Sequence, residues 1–325
     1  MTPEEIESVI ESEYAYLRSE YDNWSLTTSD QHDLKLVAHA LRVLIHKKVV
    51  ETSTPEFIAL GAQQNEDGGW GQTGTDTESK VWVSAFCGLM LIRGNQLLKY
   101  ERLSGSVQLA IRYFLDAQKP DGRWVDPSWS DLDATSYPVS FLNVVLVLGK
   151  EFGTTMRKKV TESWKKGMQF ILDNQSTDGG WYDQEFYPTG VALTAHLIQD
   201  SLVADVMIEN VMRVSRPCRK GAELLLSLQA ESGSWDNDSV EHTMDSVRSL
   251  MLVSRMLGIE RQCDPAIQAG MDWIMMTKNE QGWPDFPGMD TNLERACNGL
   301  DTMLKFLVYS EEDSIKIMRC WGYLD

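Results

Sequence analysis

Lys166-Gly-Met-Gln-Phe170-Ile-Leu-Asp-Asn-Gln175-Ser-Thr-Asp-Gly179-Gly-Trp181 is the stretch on which the fold turns. Its first half carries apolar residues at helical spacing, and the Asp-Gly step after Gln175 breaks that helix into a turn. The closing pattern Gln-x-x-x-Gly-x-Trp recurs at Gln64…Gly68…Trp70, Gln118…Gly122…Trp124 and Gln229…Gly233…Trp235. A fifth copy is degenerate: Lys278 stands for the glutamine, and Gly282-Trp283 closes one residue early. The five tryptophans are 54, 57, 54 and 48 residues apart. A period of that size means stacked supersecondary units rather than one continuous core.

Each unit has the same order. An amphipathic helix enters the glutamine, a polar connector follows the tryptophan, and a second, more apolar helix comes next. These second helices are expected at Tyr137–Leu148, Val191–Ile198, Val247–Leu257 and Ala296–Val308. Another helical pair, roughly Pro3–Tyr21 and Asp30–Lys48, stands ahead of the first repeat. No convincing period-2 strand is present. The expectation is all-α: an α/α barrel (toroid) of about six helical hairpins. Apolar helices would line its inside and amphipathic ones its outside. An open solenoid would usually carry polar capping repeats. One domain is expected over 1–325, with an N-terminal helical pair in 1–53, repeats in 54–310 and a tail in 311–325.

Composition narrows the function. With 30 basic and 48 acidic residues the net charge is −18, so the chain lacks the basic footprint of a phosphate-backbone binder. No nucleic-acid partner is expected. No stretch comes near the roughly 20 apolar residues of a membrane helix; the longest apolar run is Phe141–Gly149. No basic region followed by an apolar one opens the chain, so no signal peptide is expected and a cytoplasmic location is. Cys87, Cys218, Cys263, Cys297 and Cys320 are far apart and odd in number, which reads as buried free thiols.

The motif ending at Trp181 resembles the QW repeat of the squalene–hopene and oxidosqualene cyclase superfamily, a prenyltransferase/squalene oxidase-type repeat. The resemblance covers roughly residues 54 to 290. It implies that the glutamine amide bonds the backbone of a neighbouring helix start and that the tryptophan packs beside it. For the eleven tryptophans, packing is the default role.

Measured from the tryptophans, a helix-start threonine follows after eight residues in three units: Thr189, Thr243 and Thr291. In the second unit the gap from Trp124 to Thr135 is eleven, and the added residues include Asp131 and Asp133. Asp131-Leu-Asp133-Ala134-Thr135 resembles the Asp-x-Asp-Asp-Thr motif of class II terpene cyclases. The resemblance puts Asp133 in the place of the general acid and Asp131 in that of the first aspartate. Ala134 stands where the third aspartate usually is. Protonating an alkene needs a side chain that still holds its proton at neutral pH, and two neighbouring carboxyls cannot both ionise cheaply. The plainer role for both aspartates is capping the helix that follows.

A carbocation cascade also needs aromatic walls. Trp82, Trp129, Tyr137, Phe186 and Tyr187 lie near starts of the apolar helices and are the candidates, each by default a core residue. His242 could donate a hydrogen bond to an aspartate, and His196 is a core histidine or a cavity base. No cofactor is needed for protonation. Magnesium is expected if the substrate is a diphosphate, because the net charge repels a bare one; Arg216, Arg219 and Lys220 could assist. An Asp-Asp-x-x-Asp motif for ionising a diphosphate is absent, which disfavours ionisation-initiated chemistry.

Three functions compete. The first is proton-initiated cyclisation of a linear prenyl substrate of sesquiterpene or diterpene length, a diphosphate or a prenylated acceptor. The second is a non-catalytic isoprenoid-binding barrel, kept open by Ala134. The third, a protein prenyltransferase β-like subunit, would need a zinc set built around Asp-x-Cys, and no Asp-x-Cys occurs. One barrel is small for this chemistry, so a second copy or a partner domain is a candidate for closing the cavity.

Overall fold

Each glutamine–glycine–tryptophan motif closes one helix and opens onto the next. The computed structural model describes residues 2–47, 50–98, 101–149, 151–202 and 215–311. Among these are twelve α-helices and no strand beyond isolated bridges. They are α1 (Pro3–Ser19), α2 (Leu34–His46), α3 (Val50–Ala62), α4 (Val81–Leu98), α5 (Glu101–Ala117), α6 (Asp131–Leu148) and α7 (Thr154–Asp173). Then come α8 (Val191–His196), α9 (Ser215–Leu228), α10 (Val240–Leu257), α11 (Glu260–Thr277) and α12 (Leu293–Ser310). The helices group into two compact units. One spans Ser19–Ile171; the other takes residues 2–18 and 172–311. Lys48, Cys320 and the tail from residue 312 lie outside the described residues.

In the Ser19–Ile171 unit, α4 packs on α2, α3, α5 and α6; in the other, α10 packs on α8, α9, α11 and α12. The two helix types differ as their sequences predict. Fifteen of the 18 residues of α6 are buried, against 6 of the 20 in α7. Against expectation, α4 is long and apolar enough to cross a membrane, with mean hydropathy 1.3 over 18 residues. It is instead a core helix, 61% buried and packed on four others.

The repeat motif is a staple. Gln118 Nε2 donates to the Gly122 carbonyl in its own turn (2.8 Å) and to the Ser163 carbonyl of α7 (2.9 Å). Gln64, Gln175 and Gln229 make the same two bonds, reaching Ser106 of α5, Pro217 of α9 and Ala266 of α11. Each of these four motifs therefore ties its own turn to the helix that enters the following motif. Gly122 sits at φ +97°, and a Cβ there would lie 2.4 Å from the Lys166 carbonyl oxygen. Only glycine meets both conditions. The five repeat tryptophans are wholly buried. Trp124 also explains the glycine of Lys166-Gly167, since a Cβ on Gly167 would meet its ring at 2.9 Å.

Several boundaries differ from expectation. The helix expected from Tyr137 begins at Asp131, because Ser130 caps it by accepting from the Asp133 N–H. The helix expected from Val247 begins at Val240 for the same reason, with Ser239 as cap. The one after Gly190 gives way at Leu197 to a π-helical turn, Leu197–Leu202. Cys87, Cys218, Cys263 and Cys297 are buried thiols that form no disulfide. Burial pushes the Cys263 thiol up to about 12, so it is inert at neutral pH.

Candidate active site

The backbone N–H of four of the five repeat tryptophans bonds a hydroxyl near the start of the following apolar helix. Trp70 reaches Ser84 (2.8 Å); Trp124 reaches Thr135, Trp181 reaches Thr194 and Trp235 reaches Thr243, all at 3.0 Å. These gaps are 14, 11, 13 and 8 residues. The matching residue in the third unit is therefore Thr194, not Thr189, and the Trp124–Thr135 connector carries no insertion relative to its neighbours. Connector length varies because only its two ends are held by the ladder. The second unit stands out by its residues alone: two aspartates fill the first turn of α6.

Those aspartates do not share a site. Residues i and i+2 of a helix point about 200° apart, and α6 already includes both. Asp131 turns to solvent, where Arg123 pairs with it at 2.8 Å and its side chain stays 39% exposed. Asp133 is completely buried, and its Oδ2 accepts from the Tyr137 hydroxyl at 3.2 Å. The paired-carboxyl arrangement expected from the sequence is thus replaced by a buried carboxyl with a phenol one turn on. Neither aspartate is the cap; Ser130 is.

Tyr137 leads into an aromatic chain. Its ring lies 5.1 Å from Phe86, Phe86 lies 6.4 Å from Trp82, and Trp82 lies 5.6 Å edge-on to Trp129. His39 of α2 approaches Phe86 at 5.3 Å, and the Lys35 ammonium sits 5.7 Å from the centre of Trp82. Asp126 holds Trp82 and Trp129 together. One of its oxygens accepts from Val81 N–H at the start of α4 and the other from Ser128 N–H in the connector carrying Trp129. Trp82, Trp129 and Tyr137 are therefore brought together near Asp133. Phe86, His39 and Asp126 were not singled out from the sequence; Phe86, four residues after Trp82, was the legible one.

His242, His196, Phe186 and Tyr187 belong to the other unit. His242 Nδ1 contacts Asp236 at 2.5 Å, so its carboxylate partner is local and is neither Asp131 nor Asp133. That bond, the largest influence, holds the Asp236 carboxyl below its ordinary value. Asp236, Asn237 and Asp238 all have positive φ and form a turn. Phe186 is 38% exposed in the turn Asp183–Tyr187, while Tyr187 is buried and edge-on to His196 at 6.3 Å.

His196 opens a charged cluster that sequence reading missed. Its Nε2 lies 3.1 Å from Asp245 Oδ2. Arg248, on the same helix as Asp245, bonds that carboxylate and reaches Asp301 of α12 at 3.3 Å; Lys305 pairs with Asp301 at 3.0 Å. Arg248 is 3% exposed, Asp301 0% and Lys305 5%. Burial works against the charge on Asp245, but Arg248 and then His196 overcome it and hold the carboxyl far below the usual range. Asp200, in the π-helical turn, is pushed the other way by loss of water. The available signal was charged residues at i, i+3 and i, i+4 inside otherwise apolar helices.

Lys220 of the basic group Arg216, Arg219 and Lys220 bonds the Thr177 carbonyl at 3.3 Å, and Arg216 is exposed. Two open surface grooves, of about 610 and 580 Å³, are lined by residues of α5 and α7 and by the Asp236–Asp238 turn; neither reaches Asp133. Among the described residues no group of three His, Cys, Asp or Glu side chains is placed to hold a metal ion.

No family model matches the chain. Lanosterol synthase erg7A of Aspergillus fumigatus is 24% identical over 179 residues, which is 49% of this chain and 23% of that protein. The chain thus spans about a quarter of that relative's length. A structure of the type II terpene cyclase MstE from Scytonema, a variant in complex with its substrate geranylgeranyl dihydroxybenzoate, matches with a TM-score of 0.66 at 13% identity. It covers 94% of this chain and 99% of that one. A GH76 α-mannanase of Bacteroides thetaiotaomicron matches with a TM-score of 0.70 at 8% identity, covering 94% and 96%. The fold is of the α/α-barrel class, and the chain is similar to the class II terpene cyclase and squalene–hopene cyclase-like superfamily in sequence and in fold. The mannanase shows that this fold alone carries no particular activity.

Proposed function

We propose that the similarity to cyclases extends to chemistry, and that this chain catalyses proton-initiated cyclisation of a linear prenyl substrate with Asp133 as general acid. The observation that carries the reading is a wholly buried carboxyl in the first turn of α6, hydrogen-bonded to Tyr137 and adjoining an aromatic chain. A carboxyl shut away from bulk water can act on an alkene without solvent competing for the proton. The proton leaves Asp133 for the terminal alkene carbon, and the electron pair of the double bond forms the new C–H bond. The carboxylate left behind is stabilised by the Tyr137 hydroxyl and by the N-terminal peptide dipoles of α6. Phe86, Trp82 and Trp129 offer π-faces that stabilise positive charge without reacting as bases. A second proton must leave the final cation, so the net reaction is isomerisation. No step is routed through a metal; magnesium, if the substrate is a diphosphate, would arrive with it.

Asp131 has a supporting role in this reading. Its ion pair with Arg123 anchors the start of α6 and keeps its charge away from the acid. Ala134 is wholly buried next to Asp133 and places no third carboxylate there.

The experiment is incubation of the purified chain with farnesyl and geranylgeranyl diphosphates and with geranylgeranyl dihydroxybenzoate, followed by mass spectrometry. Asp133→Asn keeps the shape and removes the proton. Its product formation should fall by at least about 100-fold, the usual scale of general acid catalysis. Unchanged product formation would sink the mechanism. Binding without turnover in the unsubstituted protein would favour the isoprenoid-binding barrel.

A further inference from the structure

The repeat keeps a strict register that its fifth copy breaks. Gln64, Gln118, Gln175 and Gln229 take the carbonyls of Ser106, Ser163, Pro217 and Ala266. Those four residues stand twelve places ahead of Gln118, Gln175, Gln229 and Lys278 in turn. The motif glycine packs three residues further along the same helix. A Cβ on Gly68, Gly122, Gly179 or Gly233 would lie 2.4–2.6 Å from the carbonyl oxygen of Leu109, Lys166, Lys220 or Ala269. Turn and helix therefore meet backbone to backbone, and one neutral amide spans the remainder.

At the fifth copy the partner is α1, which belongs to the same unit. Lys278 still bonds its own turn, donating to the Asn279 carbonyl at 2.8 Å. Its second partner is not a backbone group but the carboxylate of Glu13, at 2.7 Å. Gly282 shows the same change. The nearest α1 atom to a Cβ there would be Glu13 Oε2, a side-chain atom, at 3.1 Å. Two long side chains thus cross a gap that a single glutamine crosses elsewhere. This accounts for lysine in the glutamine place, because an amide is too short to reach.

The seam is lightly built. Of the 17 residues of α1, Ile6, Ile10, Glu13 and Leu17 are buried, so a charge sits within a stripe of three apolar side chains. Glu13 is 1% exposed. Burial, the largest influence, pushes its carboxyl above the ordinary value, and Lys278 pulls it back. The same ammonium lies 5.7 Å from the centre of the Trp283 ring, so it serves helix, turn and tryptophan together. Removing one partner of a buried pair strands the other charge, whereas replacing both by apolar groups is tolerated.

We propose that α1 is a strap held on the fifth motif by the Lys278–Glu13 latch, and that its release is the first opening of this unit. The strap does not depend on the cyclase reading.

Native-state hydrogen exchange on the unsubstituted protein tests the strap. Amides of α1 should exchange at least about tenfold faster than those of α10, the core helix of the same unit. Exchange of both helices at one rate would show a single cooperative body and overturn the strap. Lys278→Gln tests the latch by restoring the residue of the other four motifs. Restoring a repeat's own residue commonly stabilises; here Tm should instead fall by about 4 °C or more. Glu13→Leu combined with Lys278→Met removes both charges and should recover most of that fall. A Tm that holds or rises in Lys278→Gln means that the amide spans the seam as it does elsewhere, and overturns the latch. A double substitution that recovers nothing does the same, because a stranded charge then does not explain the loss. Where Lys278→Gln fails to fold, the stability of the double substitution and the exchange rates of the unsubstituted protein decide.

Discussion

Asp131 and Asp133 are two residues apart and have opposite fates. Two helical steps, about 200° together, send Asp131 to Arg123 at the surface and Asp133 into the interior. Their separation depends on where α6 begins, and Ser130 decides that by capping it. A second carboxylate shows how local partners set titration. Asp236 is held below its ordinary value of 3.8, chiefly by His242. A depressed carboxylate contributes stability that is present above its unfolded value and is lost as pH falls through its folded value. His242→Ala should therefore raise the pH of the acid unfolding midpoint, read by circular dichroism. An unmoved midpoint would mean that the pair does not contribute in solution.

The repeat acts at the scale of elements through the two hydrogen bonds of each glutamine. Gln118→Ala removes the bonds to Gly122 and Ser163 and leaves two carbonyls short of a donor. The expected loss is about 1–3 kcal/mol in a denaturant titration. Exposed Gln108, as Gln108→Ala, should change stability by no more than about 0.5 kcal/mol. A Gln118→Ala loss no larger than that would show that turn and helix hold together without the staple. Gly122 belongs to the same element, because its positive φ and its close approach to Lys166 let the turn reach α7. Gln64 to Trp70 and Gln118 to Trp124 announced this geometry in the sequence. The connectors did not. Trp181 has threonines both eight and thirteen residues later, and only the bond from its N–H shows that Thr194 is the partner.

For the whole molecule, the −18 net charge is the property that acts everywhere at once. Self-repulsion of that charge opposes the compact state and is screened by salt. Raising sodium chloride from low to moderate concentration should therefore raise Tm, measured by calorimetry; a flat or falling Tm would mean that local pairs already compensate the excess. Charge count and repeat period are properties of the chain in any conformation, so the sequence by itself determined the all-α class, the hairpin order and the acidic surface. It also determined that Asp133 lies at a helix start. Which groups surround that carboxyl was decided by the tertiary structure, because Tyr137, Phe86 and Trp129 meet only when α4, α6 and a connector pack together. The same holds for His196, Arg248 and Asp301, which belong to three helices and form a cluster only once burial leaves their charges no water to turn to.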